Sequence, residues 1–154
     1  MSDKFKFEIQ GIKEFMEAND KIVASKRKKI QTLVLRRAMD IRTGAMDKLR
    51  DLKAIDLGHL RNSILVEITE DKLNAEIGPT SPYGPYIEFG TQPHWPPLDA
   101  LEGWAKRHGI PAFLVARAIA RRGTFARPYL APAFDAIVGY FEDDLAKIYE
   151  EAEL

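Results

Sequence analysis

Apolar residues recur along this chain in two rhythms, and the rhythm changes at glycines and prolines. Phe5, Phe7 and Ile9 alternate with Lys6, Glu8 and Gln10 and stop at Gly11, the period of a strand with one apolar face. A short helical stretch over 12–18 follows. Asn19 or Asp20 then suits the cap of the next helix, where a side-chain oxygen accepts a hydrogen bond from a free N–H. From Lys21 to Leu52 the period is helical. Val23, Ile30, Val34, Ala38, Ile41, Ala45, Leu49 and Leu52 fall at seven-, three- and four-residue steps on one stripe. Gly44 is the one interior glycine, a cost of about 1 kcal/mol in a helix, and such a glycine allows close approach of another element. A run of this length spans about 48 Å, so it bends, breaks near Thr43-Gly44, or projects from the core.

A turn at Asp56-Leu57-Gly58 leads into a strand read over Leu60–Ile68, with Ile64, Val66 and Ile68 alternating with Leu65, Glu67 and Thr69. Past Glu70-Asp71, Leu73, Ala75 and Ile77 form one face of a second strand that ends at Gly78-Pro79. The pair reads as an antiparallel hairpin joined by the N-terminal strand. The 79–97 segment holds Pro79, Pro82, Pro85, Pro93, Pro96 and Pro97 and is an interaction loop, with a short helical turn or strand at Tyr86–Phe89. Leu98–His108 is helical with Leu98, Leu101, and Trp104 or Ala105 inward, and Gly109-Ile110-Pro111 stops it. Ala112–Arg122 is a second helix, ended by Gly123-Thr124. Pro128 and Pro132 bracket Tyr129-Leu130, and a last helix carries Phe134, Ile137, Phe141, Leu145 and Ile148 on one face. The fold class is α+β: a small antiparallel sheet packed against long N-terminal and C-terminal helices. One domain is expected over 1–154, with 1–20 as strand and lead-in.

Composition narrows the function classes. Lys and Arg number 23 against 23 Asp and Glu, which argues against a dedicated nucleic-acid binder. There is no cysteine, so disulfides, thiolate metal sites and cysteine catalysis are excluded. No signal-peptide core and no long apolar span is visible, and a soluble protein made in a cytoplasm is expected. The neutral total hides blocks. Residues 21–53 are strongly basic, 103–134 carry Lys106, Arg107, Arg117, Arg121, Arg122 and Arg127 with no acid, and the tail from Asp135 is acidic. Like-charge blocks suit solvated helix faces, and opposed blocks suit head-to-tail packing of identical subunits.

Nothing nominates a reaction. His59, His94 and His108 lie in unrelated contexts without zinc-site spacing, Ser63 and Ser81 lack a nucleophile elbow, and no phosphate loop is present. Asp143-Asp144 belongs to a solvated acidic helix. A non-enzyme without metal or cofactor is expected. Glu88, between Ile87 and Phe89, lies near surface that will be buried, where a lone carboxylate is costly. Arg127 or Arg61 is its expected partner, by bidentate pairing. Arg117, Arg121 and Arg122 suit either a charge-lined DNA channel or a contact on a neighbour's acidic helix.

Three blocks occur in order: Asp56-Leu-Gly-His-Leu-Arg-Asn-Ser-Ile64, Tyr83-Gly-Pro-Tyr-Ile-Glu-Phe-Gly-Thr91 and Ala126-Arg-Pro-Tyr-Leu-Ala-Pro-Ala133. Over roughly 20–150 the chain resembles the neck or tail-completion proteins of long-tailed bacteriophages, the gene-product-ten-like family of lambdoid phages. The His94-Trp-Pro-Pro97 insert departs from that pattern. The resemblance marks Gly58, Leu60, Arg61, Ser63, Tyr83, Tyr86, Glu88, Phe89, Gly90, Arg127 and Pro128 as motif positions. Of these, Tyr83, Tyr86, Glu88 and Phe89 are expected at the structural centre of the central loop, with His94 and Trp95 as exposed anchors for a partner. It implies a virion protein of the head–tail junction that forms a six- or twelvefold ring between the head connector and the tail tube or tail terminator, around passing DNA. The alternative is a nucleic-acid-binding or regulatory module using the basic helices.

Overall fold

Gly44 turns out to mark the place where the two longest helices meet. A computed structural model describes residues 5–7, 20–53 and 56–151, with only the backbone described for 5–7 and 20–22. Helix α1 (Asp20–Asp51) is unbroken, and Val23, Ile30, Val34, Ala38, Ile41, Ala45 and Leu49 of the expected stripe are buried. The last helix, α6 (Leu130–Glu150), runs antiparallel along it. A Cβ added at Gly44 would stand 3.3 Å from Ala133 Cβ, near the start of α6. Further on, Arg37 pairs with Asp144. Near the other end the Lys26 ammonium donates to Tyr149 O at 2.9 Å, and Lys29 pairs with Glu151. A cation on the last carbonyls of α6 complements the negative end of its dipole. Part of the opposed charge of the two blocks is therefore satisfied within one chain.

The sheet is three-stranded, in the order β1 (Phe5–Phe7), β3 (Ala75–Pro79), β2 (Ile64–Ile68), with both pairings antiparallel. β3 is central and buried along its length except for the half-buried Glu76. Ile64 lies opposite Pro79 and Val66 opposite Ile77, so the apolar face of the hairpin is the one the alternation predicts. The reading of 60–63 as strand is corrected: His59–Asn62 is a short helix, α2, entered through Gly58 at φ +79°. That left-handed angle suits glycine and reverses the chain before β2 begins. Ile9, Gly11, the 12–18 stretch and Asn19 lie outside the described residues.

Sheet, α1 and α6 share one core. Leu49, Val34, Ile64, Ile77, Leu130 and Tyr129 are its largest fully buried side chains. Burial of an aliphatic side chain of this kind stabilises by about 1.5–3 kcal/mol. Phe141 is buried on α6, and Phe134, Ile137, Leu145 and Ile148 pack against the core at the expected three- and four-residue steps. Between β3 and α6 the chain builds three more helices: α3 (Gly84–Phe89), α4 (Leu98–Arg107) and α5 (Ala112–Arg122). Helices α4 and α5 pack on each other as a hairpin, burying Ala105 and Ala116, and none of their residues enters the core.

Candidate functional site

Helix α3 is the pivot between core and arm. Pro85 starts it, where a missing N–H costs nothing, and Gly90 at φ +72° ends it. Four-residue spacing puts Gly84 and Glu88 on the inner face, both buried. Gly84 is packed so closely that a Cβ would meet Pro79 Cγ at 2.4 Å and the Tyr129 hydroxyl at 3.2 Å. The aromatics are thereby turned outward. Tyr86 and Phe89 are 60% and 59% exposed and Tyr83 is also exposed, so the expectation that they form the structural centre is corrected: that centre is Glu88 with Gly84. The half-buried Ile87 packs against the core.

Glu88 is 5% exposed, and its partners are backbone groups. Oε2 accepts from Tyr129 N at 2.8 Å and Leu130 N at 2.9 Å, and Oε1 accepts from Ala131 N at 2.9 Å. A helix leaves its first four N–H groups without an intrahelical acceptor. Here the first three belong to residues 129–131, and the fourth position is Pro132, which has no N–H. One carboxylate from a distant helix thus satisfies the entire N-terminus of α6, and its charge meets the positive end of the dipole. The expected guanidinium partner is corrected. The Arg127 side chain is exposed and Arg61 is half-buried, and neither pairs with Glu88. Burial, with the Glu88 charge adding to it, pushes the Tyr129 phenol well above its ordinary range.

The backbone joins the second and third sequence blocks at this point and ties the first to the residue that follows β3. Arg127 N donates to Ile87 O at 2.8 Å, and Thr80 N donates to Ser63 O at 2.9 Å. Ser63 Oγ in turn donates to Leu60 O at 2.8 Å, with Leu60 in the core. Pro128 is exposed and bends the approach to Tyr129. Two Gly-Thr pairs close the base of the arm. Thr91 N donates to Thr124 O at 3.1 Å and Thr124 N to Thr91 O at 3.2 Å. A Cβ on Gly123 (φ +70°) would fall 1.9 Å from Thr91 O, and one on Gly90 would fall 2.5 Å from Thr124 O. Only glycine permits that approach.

Beyond this strap, α4 and α5 carry an exposed apolar and basic surface. Trp95 is 53% exposed and tilts against Phe113 with ring centroids 5.7 Å apart. His94 is exposed, and its Nδ1 lies 2.9 Å from Gln92 O. Of the α4 positions expected inward, Leu98 is exposed and Leu101 half-buried, and of the alternatives Trp104 and Ala105 it is Ala105 that is buried. Trp104 stacks on His108. Ile110, Phe113, Leu114 and the 76% exposed Phe125 join the same surface. Phe113 and Leu114 lie on α5, where an apolar residue of an amphipathic helix is ordinarily core, and Ile110 and Phe125 lie in the segments that flank it. Arg117, Arg121 and Arg122 are exposed, and Arg122 lies 5.8 Å over the Phe125 ring. A second tether, the ion pair of Arg107 with Asp56, joins α4 to the turn before α2 and holds the Asp56 carboxyl below its ordinary range.

Among the described residues no group of three or more metal-ligating side chains is assembled, and no helix is long and apolar enough to cross a membrane. What the fold presents is a helix–sheet core with an aromatic and basic arm tethered to it by the Thr91–Thr124 strap and the Arg107–Asp56 ion pair. Residues 13–90, about half of the chain, match the family model described as "Bacteriophage HK97-gp10, putative tail-component". The chain belongs to this HK97-gp10-like family of phage tail components, which implies a place in the virion and agrees with a structural rather than a catalytic role. The matched segment takes in α1, the β2–β3 hairpin and α3, and stops at Gly90, short of the arm and α6. Comparison with curated proteins and with solved structures gives no match.

Proposed function

We propose that the protein is a head–tail junction component of a long-tailed phage. Copies form a ring, six- or twelvefold, that joins the head connector to the tail tube or its terminator and leaves a passage for DNA. The chain acts as a single domain over 1–154, is made in the host cytoplasm, and has its place in the neck. Its work is mechanical, with no catalytic step. One observation carries this reading beyond family membership. The exposed aromatics Tyr86, Phe89, Trp95, Phe113 and Phe125 stand on backbone pinned by the Glu88 cap and the Thr91–Thr124 strap. A surface already held in shape loses little conformational entropy when it docks. Repetition around a closed ring multiplies a modest contact.

The test is the mass of the purified protein by light scattering over a concentration series, with and without a tail-tube protein. A ring in either condition supports the proposal and gives its symmetry. A monomer under both conditions overturns it, and a monomer that shifts on adding DNA establishes the nucleic-acid module instead.

A further inference from the structure

The arginines of α5 and the outer acids of α6 carry opposite charge and are not paired with each other within the chain. Leu114, Arg117, Ala118, Arg121 and Arg122 line a shallow groove of about 360 Å³ on the arm. Among the described residues, Arg117, Arg121 and Arg122 have no ion-pair partner, and no acid occurs between Gly103 and Phe134. Helix α6 divides its acids between two faces. Asp144 and Glu151 turn toward α1 and are paired there with Arg37 and Lys29. Asp135, Glu142 and Asp143 are exposed and unpaired among the described residues, and the exposed Val138 stands between Asp135 and Glu142 at three- and four-residue steps.

We infer that the α5 groove of one copy seats on the outer face of α6 in the next copy, with Arg117, Arg121 and Arg122 meeting Asp135, Glu142 and Asp143. The inference rests on the ring reading above and names its contact surface. Charge complementarity selects the occupant, because a wholly basic patch repels its own kind and an acidic helix face of the same chain is free to receive it. The groove's floor selects it against DNA. Leu114 and Ala118 in the groove, with Phe113 and Phe125 exposed nearby, gain from an apolar partner such as Val138, which a phosphate backbone does not supply. Two different patches of one chain make a heterologous contact, the kind that closes into a ring when its rotation is a whole fraction of a turn.

The absence of cysteine makes the test direct. Ala118→Cys on the arm and Gly139→Cys on α6, where an added Cβ meets nothing within 4 Å, are purified separately, mixed and oxidised. The expected result is a mixed disulfide dimer forming at least tenfold faster than Ala118→Cys forms one with Glu70→Cys, a control in the β2–β3 turn. In a second arm, Arg117→Glu with Arg121→Glu weakens self-association by about tenfold or more, and strongly in low salt. Asp135→Arg with Glu142→Arg in a second chain restores the contact when the two are mixed. Each reversed chain repels its own kind but keeps one wild-type patch, and those two patches attract each other across the pair. With the reversed contact also restored, the mixture is expected to grow past a one-to-one pair into assemblies in which the two chains alternate, while either chain alone stays dispersed. Crosslinking no faster than the control, or reversed pairs that fail to restore association, overturns the inference. If large assemblies persist alongside either result, the ring reading survives without this contact. If nothing associates with or without the tail-tube protein, both fall.

Discussion

Replacing Glu88 by Gln removes one charge and changes almost no volume, so its effect measures the cap on α6. The amide oxygen can still accept from Tyr129 N and Leu130 N, which share Oε2 in the native protein. The amide nitrogen then faces Ala131 N, donor against donor, and the bond at Oε1 is lost. A bond to a charged acceptor contributes about 1.5–3 kcal/mol net, and a carboxylate at a helix N-terminus a further 0.3–1 kcal/mol or so. Glu88→Gln is therefore expected to destabilise by about 2–4 kcal/mol, lowering the melting temperature by roughly 5–15 °C for a chain of this size. Arg127→Ala is the matched control. Its side chain is exposed and its N–H, not its guanidinium, bonds Ile87 O, so the shift stays within about 0.5 kcal/mol. Thermal melts followed by circular dichroism, with urea titrations alongside, decide the matter. A Glu88→Gln protein melting within about 1 °C of wild type would refute the cap argument, and an equal loss in Arg127→Ala would restore the ion pair in its place.

Gly123→Ala is expected to open the base of the arm, since its Cβ would overlap Thr91 O and the left-handed backbone adds about 1–2 kcal/mol of strain. Hydrogen exchange should then quicken at Thr91 and Thr124 while the α1 core amides stay protected, and unchanged exchange at the two threonines would contradict it. For pH, Asp144 is held below its ordinary 3.8 by the Arg37 and then the Lys147 hydrogen bonds, Asp56 by that of Arg107, and Glu151 below 4.5 by that of Lys29. A depressed carboxyl pKa contributes stability that is whole above the unfolded value and lost as pH falls through the folded one. The melting temperature should hold from neutrality to about pH 5 and drop below about pH 4. The double variant Asp56→Asn with Asp144→Asn should melt lower at pH 7 and fall less steeply in acid, and parallel acid limbs in a calorimetric series would rule that out.

The core was legible because its signals are local and periodic. The α1 stripe gave both the buried face and, through Gly44, the spot where α6 comes close, and alternation fixed the facing of β2 and β3. Misreadings fell where periodicity is short or shared. Four residues cannot display a helical period, so α2 reads as the start of a strand. Helix α4 packs on α5 and not on the core, so its stripe buries Ala105 and leaves Leu98 and Trp104 exposed.

Glu88 shows where reading side chains alone falls short. A carboxylate between two apolar residues correctly announced burial and the need for a positive partner. Arginines are the partners a sequence offers, because cationic side chains are spelled out in it and helix ends are not. The positive group was the N-terminus of α6, whose free donors become visible only once Leu130 is known to begin a helix. Pro132 was the overlooked signal. A proline in the first turn removes the one donor that a carboxylate already holding three N–H groups would have had to leave to another partner. The Glu88 block and the Tyr129-Leu-Ala-Pro132 block are thus two sides of one hydrogen-bonding unit, one supplying the acceptors and the other a set of donors trimmed to match. That is why the outward aromatics of α3 are fixed relative to α6, and why the loop that looked like the least regular part of the chain is among its most constrained.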